Sequence, residues 1–146
     1  MTFSRVQKKV FLWLFSPVFF GQIHGKPIDQ AGVLFSSKLL SGETTGHAVN
    51  LKAKIKGTND LYLIVSDGGD SFACDWANWA FPRLVDKNGQ ETKLTDFKWK
   101  SAKADWGKVN LNKNCAGGLL KIDGKDIDDG IGTHANSVIH YKLPKN

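Results

Sequence analysis

Hydrophobic and polar positions alternate most clearly over 48–56. Val49, Leu51, Ala53 and Ile55 are separated by Asn50, Lys52, Lys54 and Lys56. This period of two predicts a strand with one face in a core and the other in water. Leu61-Tyr-Leu-Ile-Val65 is apolar on both faces and predicts a central strand of a sandwich. Shorter apolar runs predict strands at Val33–Ser37, Arg83–Val85, Leu119–Ile122 and Val138–Leu143. Turn-forming residues punctuate them at Ser41–Gly46, Lys56–Asp60 and Asp123-Gly124, and Asp86–Gln90 is the most linker-like stretch. A long loop is expected from Asp67 to Trp79. No segment keeps a helical period over three turns. The pattern predicts an all-β sandwich.

At the N-terminus, Arg5, Lys8 and Lys9 precede the uncharged run Val10–Gly21. A stable membrane helix needs about 20 apolar residues, so this run is too short to span. A basic head, a short apolar body and a polar or small-residue stretch ending at Gly25 predict a signal peptide over 1–25. The other reading is a buried β-hairpin turning at Ser16-Pro17. Export implies a secreted or cell-surface chain with no membrane insertion after processing.

Composition narrows the classes. The chain has 146 residues, 41% hydrophobic and 23% charged, which suits one globular domain and excludes disorder. Fifteen glycines against four prolines fit short turns between strands. The formal charge of +6 comes from 20 basic and 14 acidic residues; without Arg5, Lys8 and Lys9 it falls to about +3. Such an excess does not require nucleic acid, and none is expected as a partner. The one basic-aromatic cluster, Lys98-Trp-Lys-Ser-Ala-Lys103 with Trp106 and Lys108, is the only stretch suited to stacking bases.

Three stretches carry candidate chemistry. In Ser66–Trp79, Asp67, Asp70 and Asp75 lie in a glycine-containing loop; they either converge on calcium or shape a turn. Trp76 and Trp79, flanked by Asp75 and Asn78, pair aromatic faces with polar groups, as sugar binding requires; the competing reading places them in the core. Cys74 and Cys115 form a disulfide candidate in an exported chain and match no zinc spacing. In Asp129–Ser137, Gly130 and Gly132 allow unusual angles or a close neighbour, and His134 and Asn136 precede the last strand. No nucleophile stands at a spacing that pairs with His134, so no catalytic residues and no enzyme are expected.

The third stretch is Leu94–Val109 with Asn114–Gly124. Asp96-Phe-Lys-Trp99, Trp106-Gly107, Gly117-Gly-Leu-Leu-Lys-Ile-Asp-Gly-Lys125 and Gly130-Ile-Gly-Thr-His-Ala-Asn-Ser137 resemble the N-terminal half of the NPCBM family of carbohydrate-binding modules. Leu61-Tyr-Leu-Ile-Val-Ser-Asp-Gly-Gly-Asp70 and Asp75-Trp-Ala-Asn-Trp-Ala-Phe-Pro-Arg-Leu84 resemble its C-terminal half, with Trp76 where histidine is common and Asn78 where aspartate is common. The halves stand in permuted order, about 33–86 before 94–146. Either the chain holds parts of two tandem modules, or it closes as a circular permutant with 86–93 as the join. In the second case residues 16–30 supply a middle strand.

The resemblance implies a galactose-binding-like jelly-roll sandwich on a secreted or cell-surface protein, binding galactose-type glycans and often carrying structural calcium. The expected function is non-catalytic carbohydrate binding. Trp76 or Trp79 would pack on a sugar face, with Asp75, His134 and Asn136 on its hydroxyls and Asp67 and Asp70 on a calcium. The alternative is a structural or protein-interaction module of a cell-surface protein.

Overall fold

The computed structural model describes residues 9–14, 33–41, 44–55, 59–69 and 72–144. Among them the chain forms twelve strands: β1 (Lys9–Leu14), β2 (Val33–Ser36), β3 (Asp60–Ser66), β4 (Trp76–Ala80), β5 (Arg83–Val85), β6 (Glu91–Lys93), β7 (Ser101–Ala104), β8 (Asn110–Leu111), β9 (Leu120–Ile122), β10 (Lys125–Ile127), β11 (Gly130–His134) and β12 (Ser137–Lys142). Two single 3-10 turns, Thr45–His47 and Leu94–Asp96, complete it. An antiparallel five-stranded sheet, in the order β2-β1-β3-β12-β7, packs against a three-stranded sheet ordered β4-β11-β8. The hairpins β5-β6 and β9-β10 flank them. The fold is the expected all-β sandwich.

The core lies between the two sheets. β3 and β12 contribute Leu61, Leu63, Val65, Ile139 and Tyr141, while β4 and β11 contribute Ala77, Trp79 and Ile131. Along β3, buried residues alternate with half-buried ones, and β1 and β12 flank it on either side, so the strand apolar on both faces is central. Each fully buried Leu or Val contributes roughly 1.5–3 kcal/mol from area removed from water. At the end of the ladder, the Lys142 ammonium and the His140 ring reach the Asp60 carboxylate at 2.8 and 2.7 Å.

The two halves read from the sequence are interleaved. β3 pairs with β12 from Asp60↔Lys142 to Val65↔Ser137, and β4 pairs with β11 from Ala80↔Gly130 to Trp76↔His134. Each sheet therefore draws strands from both parts of the chain. Asp86–Gln90 is the turn of the β5-β6 hairpin rather than a linker. The Asp86 carboxylate accepts the Asn88 and Gln90 N–H groups at 2.8 and 2.9 Å, and Gly89 has φ 81°.

Three further differences from the pattern have physical causes. Residues 48–55 form no ladder, although Leu51, Ala53 and Ile55 pack half-buried on the core and Lys52 and Lys54 stay exposed. Alternation specifies which side faces the core, not a hydrogen-bonding neighbour. The expected Asp67–Trp79 loop ends at Asp75, because Trp76–Ala80 is β4; Ala and Asn give that strand little β-propensity to flag it. Gly130–His134 is also a strand, with all five residues buried. The Asp123-Gly124 turn is as expected. Its two residues have φ 49° and 74° and join β9 to β10 through a two-residue connection of the left-handed kind.

Part of the segment read as a leader, Lys9–Leu14, forms β1 between β2 and β3. Ser16-Pro17 and residues 16–30 lie outside the described residues. Cys74 and Cys115 are not bridged: both are free thiols, Cys74 exposed and Cys115 buried, and burial pushes the Cys115 thiol up from its ordinary value. No helix among the described residues is long and apolar enough to cross a membrane.

Candidate functional site

On β4, Trp76 and Asn78 point away from the core, while Ala77 and Trp79 point into it. Residues three apart on a strand lie on opposite faces. Trp79 is accordingly 7% exposed and part of the core, whereas Trp76 is 40% exposed. The sandwich thus separates the two tryptophans that the sequence placed together.

Opposite Trp76 in the ladder stands His134 of β11, 3% exposed. Trp106, from the loop after β7, packs on the imidazole at 5.1 Å between ring centroids, tilted by 56°. Its other neighbour is Trp76, at 6.0 Å and 33°. Phe72 meets His134 edge-on at 6.4 Å. Trp106 and Phe72 are each 46% exposed. The result is a surface platform of two indoles and a phenyl ring, underlain by a buried imidazole. Exposed aromatic clusters of this kind mark interaction surfaces.

The backbone holds Trp106 in place. The Asp105 N–H donates to the Asn136 carbonyl at 3.0 Å, and the Lys108 N–H donates to the Cys115 carbonyl at 3.0 Å. Between them Gly107 has φ 68°, and a Cβ there would lie 2.7 Å from the Cys115 carbonyl oxygen. Only glycine fits that position. Gly132 serves a related purpose without unusual angles. The Lys113–Asn114 backbone crosses directly over it, and a Cβ there would come 2.5 Å from Asn114 Cα. Of the two roles that the Gly130–Gly132 spacing allowed, close approach is the one found.

Asn136 is the polar hub beside the platform. Its Oδ1 accepts the Asp67 N–H at 2.8 Å, and its Nδ2 donates to Asp67 Oδ2 at 3.3 Å and Asp105 Oδ2 at 3.2 Å. The hub joins the β3–β4 loop, the β7–β8 loop and the β11–β12 turn. His134 Nδ1 lies 2.8 Å from the Ala135 carbonyl oxygen. A carbonyl only accepts, so Nδ1 carries hydrogen, and Nε2 is the acceptor of the neutral ring. Asp75 is buried, and its own carbonyl accepts the Ala135 N–H at 3.0 Å.

Of the expected sugar residues, the structure gathers Trp76, His134, Asn136 and Asp75 at one end of the β4-β11 ladder and places Trp79 in the core. Trp106, Phe72 and Asp105 complete the platform. Trp106-Gly107 was visible as a motif, but nothing in its spacing joins it to Trp76.

For calcium, Asp67 Oδ1 accepts the Gly69 N–H at 3.0 Å and Oδ2 faces the Asn136 amide. Asp70 lies outside the described residues. Among those described, no group of three or more His, Cys, Asp or Glu side chains could hold a metal. Calcium takes about six to eight oxygens, and the described donors do not assemble them.

The sequence profile of the NPCBM/NEW2 domain matches residues 27–85 and 90–146. The chain belongs to this family. NPCBM domains are carbohydrate-binding modules, so a glycan is the expected class of partner. The break between the two matches falls on the Asp86–Gln90 turn, and the strands of the two matched segments share both NPCBM sheets. No curated protein and no solved structure matches significantly.

Proposed function

We propose that this NPCBM chain is a non-catalytic module that holds a galactose-type glycan, on a secreted or cell-surface protein, against the platform of Trp76 and Trp106. The observation that carries the reading is the exposure of two packed indoles above a buried His134. A galactose ring bears its axial hydroxyl on one side and a patch of C–H bonds on the other. That patch packs on an indole, and the hydroxyls turn towards the exposed Asp105 carboxylate and the Asn136 hub. His134 supports Trp106 from beneath, and Trp79 belongs to the core. A binding site of this kind needs orientation and no proton transfer. Affinity for a single sugar is weak, since few atoms bury little area.

Affinity-gel electrophoresis on galactan tests the reading. Retention of the wild type, with loss in Trp76→Ala and Trp106→Ala at unchanged melting temperature, supports it. Failure to be retained on any glycan overturns it, as does retention that both variants keep. Binding of a protein through the same indoles would then identify an interaction module.

A further inference from the structure

The loop that carries Trp106 also borders a groove. β7 is the edge strand of the five-stranded sheet, and beside it lies an open groove of about 380 Å³. Trp99, Ala104, Gly107 and Val109 line it, together with Lys103 and Lys108. Trp99 is half-buried, edge-on to Tyr141 at 6.4 Å, so its indole is anchored in the core while one side reaches the groove. Both lysines are exposed, and neither forms an ion pair with a described residue. From 98 to 113 the chain carries five lysines and one acid, Asp105. The turn at 105–107 separates the two surfaces: Trp106 stands on the platform, while its neighbours Ala104 and Gly107 line the groove.

The geometry points to a subsite for an anionic sugar unit of the same glycan, with its carboxylate or sulfate between Lys103 and Lys108 and its ring against Trp99. The inference deepens the glycan-binding reading and rests on it. A neutral sugar offers the two ammonium groups only hydroxyl acceptors and no opposite charge. An acidic one gains attraction that salt screens. Lysines are point charges without the planar fork of arginine, so they suit a carboxylate and a sulfate alike. A nucleic acid offers charge and stacking too. The groove, however, presents a single indole, whereas a nucleic-acid strand is held by successive bases stacked on several aromatic side chains.

Calorimetry and affinity electrophoresis of the full chain, at low and at physiological salt, test the subsite. The probes are polygalacturonate, its methyl ester, chondroitin sulfate, neutral galactan and an oligothymidine. At low salt the expected preference for an anionic polysaccharide over galactan is about tenfold, falling as salt rises, with the methyl ester behaving as neutral. Preference for polygalacturonate assigns the anion as carboxylate, and preference for chondroitin sulfate assigns it as sulfate. The double variant Lys103→Gln/Lys108→Gln loses the preference and keeps galactan binding; Lys52→Gln/Lys54→Gln, with the same loss of net charge, keeps both. Galactan binding without any anionic preference overturns this inference alone. So does equal loss in the two double variants, or oligothymidine binding as tight as the polysaccharide and dependent on Lys103 and Lys108. Binding to no glycan at all overturns the underlying reading as well.

Discussion

Trp76 and His134 face each other across the β4-β11 ladder, one exposed and the other buried, and Trp106 covers the difference between them. Their pairing joins the Asp-Trp-Ala-Asn-Trp segment to the Gly-Ile-Gly-Thr-His segment, 58 positions apart along the chain. The platform therefore exists only once the β4-β11 ladder has formed and the loop after β7 has folded over it.

The two tryptophans of β4 should respond oppositely to truncation. Trp106→Ala and Trp76→Ala are expected to weaken glycan retention by about tenfold or more while leaving urea midpoints close to wild type. Trp79→Ala should cost about 3–5 kcal/mol, the range for an aromatic cut from a packed core. Urea titrations beside affinity gels separate the two classes. Retention lost in Trp79→Ala without loss of stability would contradict its place in the core.

Gly132→Ala is expected to destabilise by about 1–3 kcal/mol, because the added methyl meets the Lys113–Asn114 backbone and not a movable side chain. Gly69→Ala is the comparison. A Cβ at Gly69 meets nothing within 4 Å, but its φ of 96° makes alanine strained there too. Relief by a compensating change in the 112–118 loop at Gly132, and not at Gly69, would show that contact is the cause at the first site.

Acid should weaken the fold partly through Asp60. The hydrogen bond from Lys142 holds its carboxyl below the ordinary 3.8 against partial burial, with His140 adding to the effect. A depressed folded pKa means that this contribution is complete above that ordinary value and disappears as pH falls through the lower folded one. Asp60→Asn should therefore lower the urea midpoint at neutral pH and show a flatter acid limb than wild type. Parallel acid limbs would remove Asp60 from the explanation.

Asn136→Ala should loosen three loops at once. Its amide joins Asp67 to Asp105, and a lost hydrogen bond to a charged partner costs about 1.5–3 kcal/mol. Retention on glycan should fall with it, because Asp105 helps to seat Trp106. The conservative variant Asn136→Gln, tested by the same gel, should not restore it, since the longer side chain cannot fit the same three contacts.

The N-terminal segment offers a clean comparison of two incompatible uses. β1 pairs with β3 at six positions, from Lys9↔Ser66 to Leu14↔Leu61. A chain beginning at residue 26 loses that ladder and leaves β3 bonded only to β12, so its melting temperature should fall and its tendency to associate should rise. N-terminal sequencing of the protein from its native source decides which form the cell makes.

Much of the scaffold was legible because its signals are local. β3 announced itself by apolar residues on both faces, β12 by an apolar run, and the Asp123-Gly124 turn by residues that tolerate left-handed angles. β4 and β11 were not legible as strands. Trp-Ala-Asn-Trp-Ala and Gly-Ile-Gly-Thr-His are held extended by their sheet partners and not by propensity. Spacing alone left both readings of Trp76 and Trp79 open, sugar face or core; strand geometry turns the two to opposite sides, so Trp76 is exposed and Trp79 lies in the core. Trp106 was missed as a site residue because the contact that makes it one, with His134, is long-range. The alternation at 48–56 identified the buried side chains and not their backbone neighbours.

The Asp86–Gln90 turn separates two lengths of chain whose strands hold each other in both sheets. A protease that nicked the peptide there would sever connectivity while leaving the β3–β12 and β4–β11 ladders intact. Two co-expressed fragments divided at this point would each lack the other's sheet partners, yet together they contain every strand of the core. The sandwich is thus suited to reconstitution by fragment complementation, with the platform of Trp76, Trp106 and His134 reporting reassembly because it draws residues from both pieces.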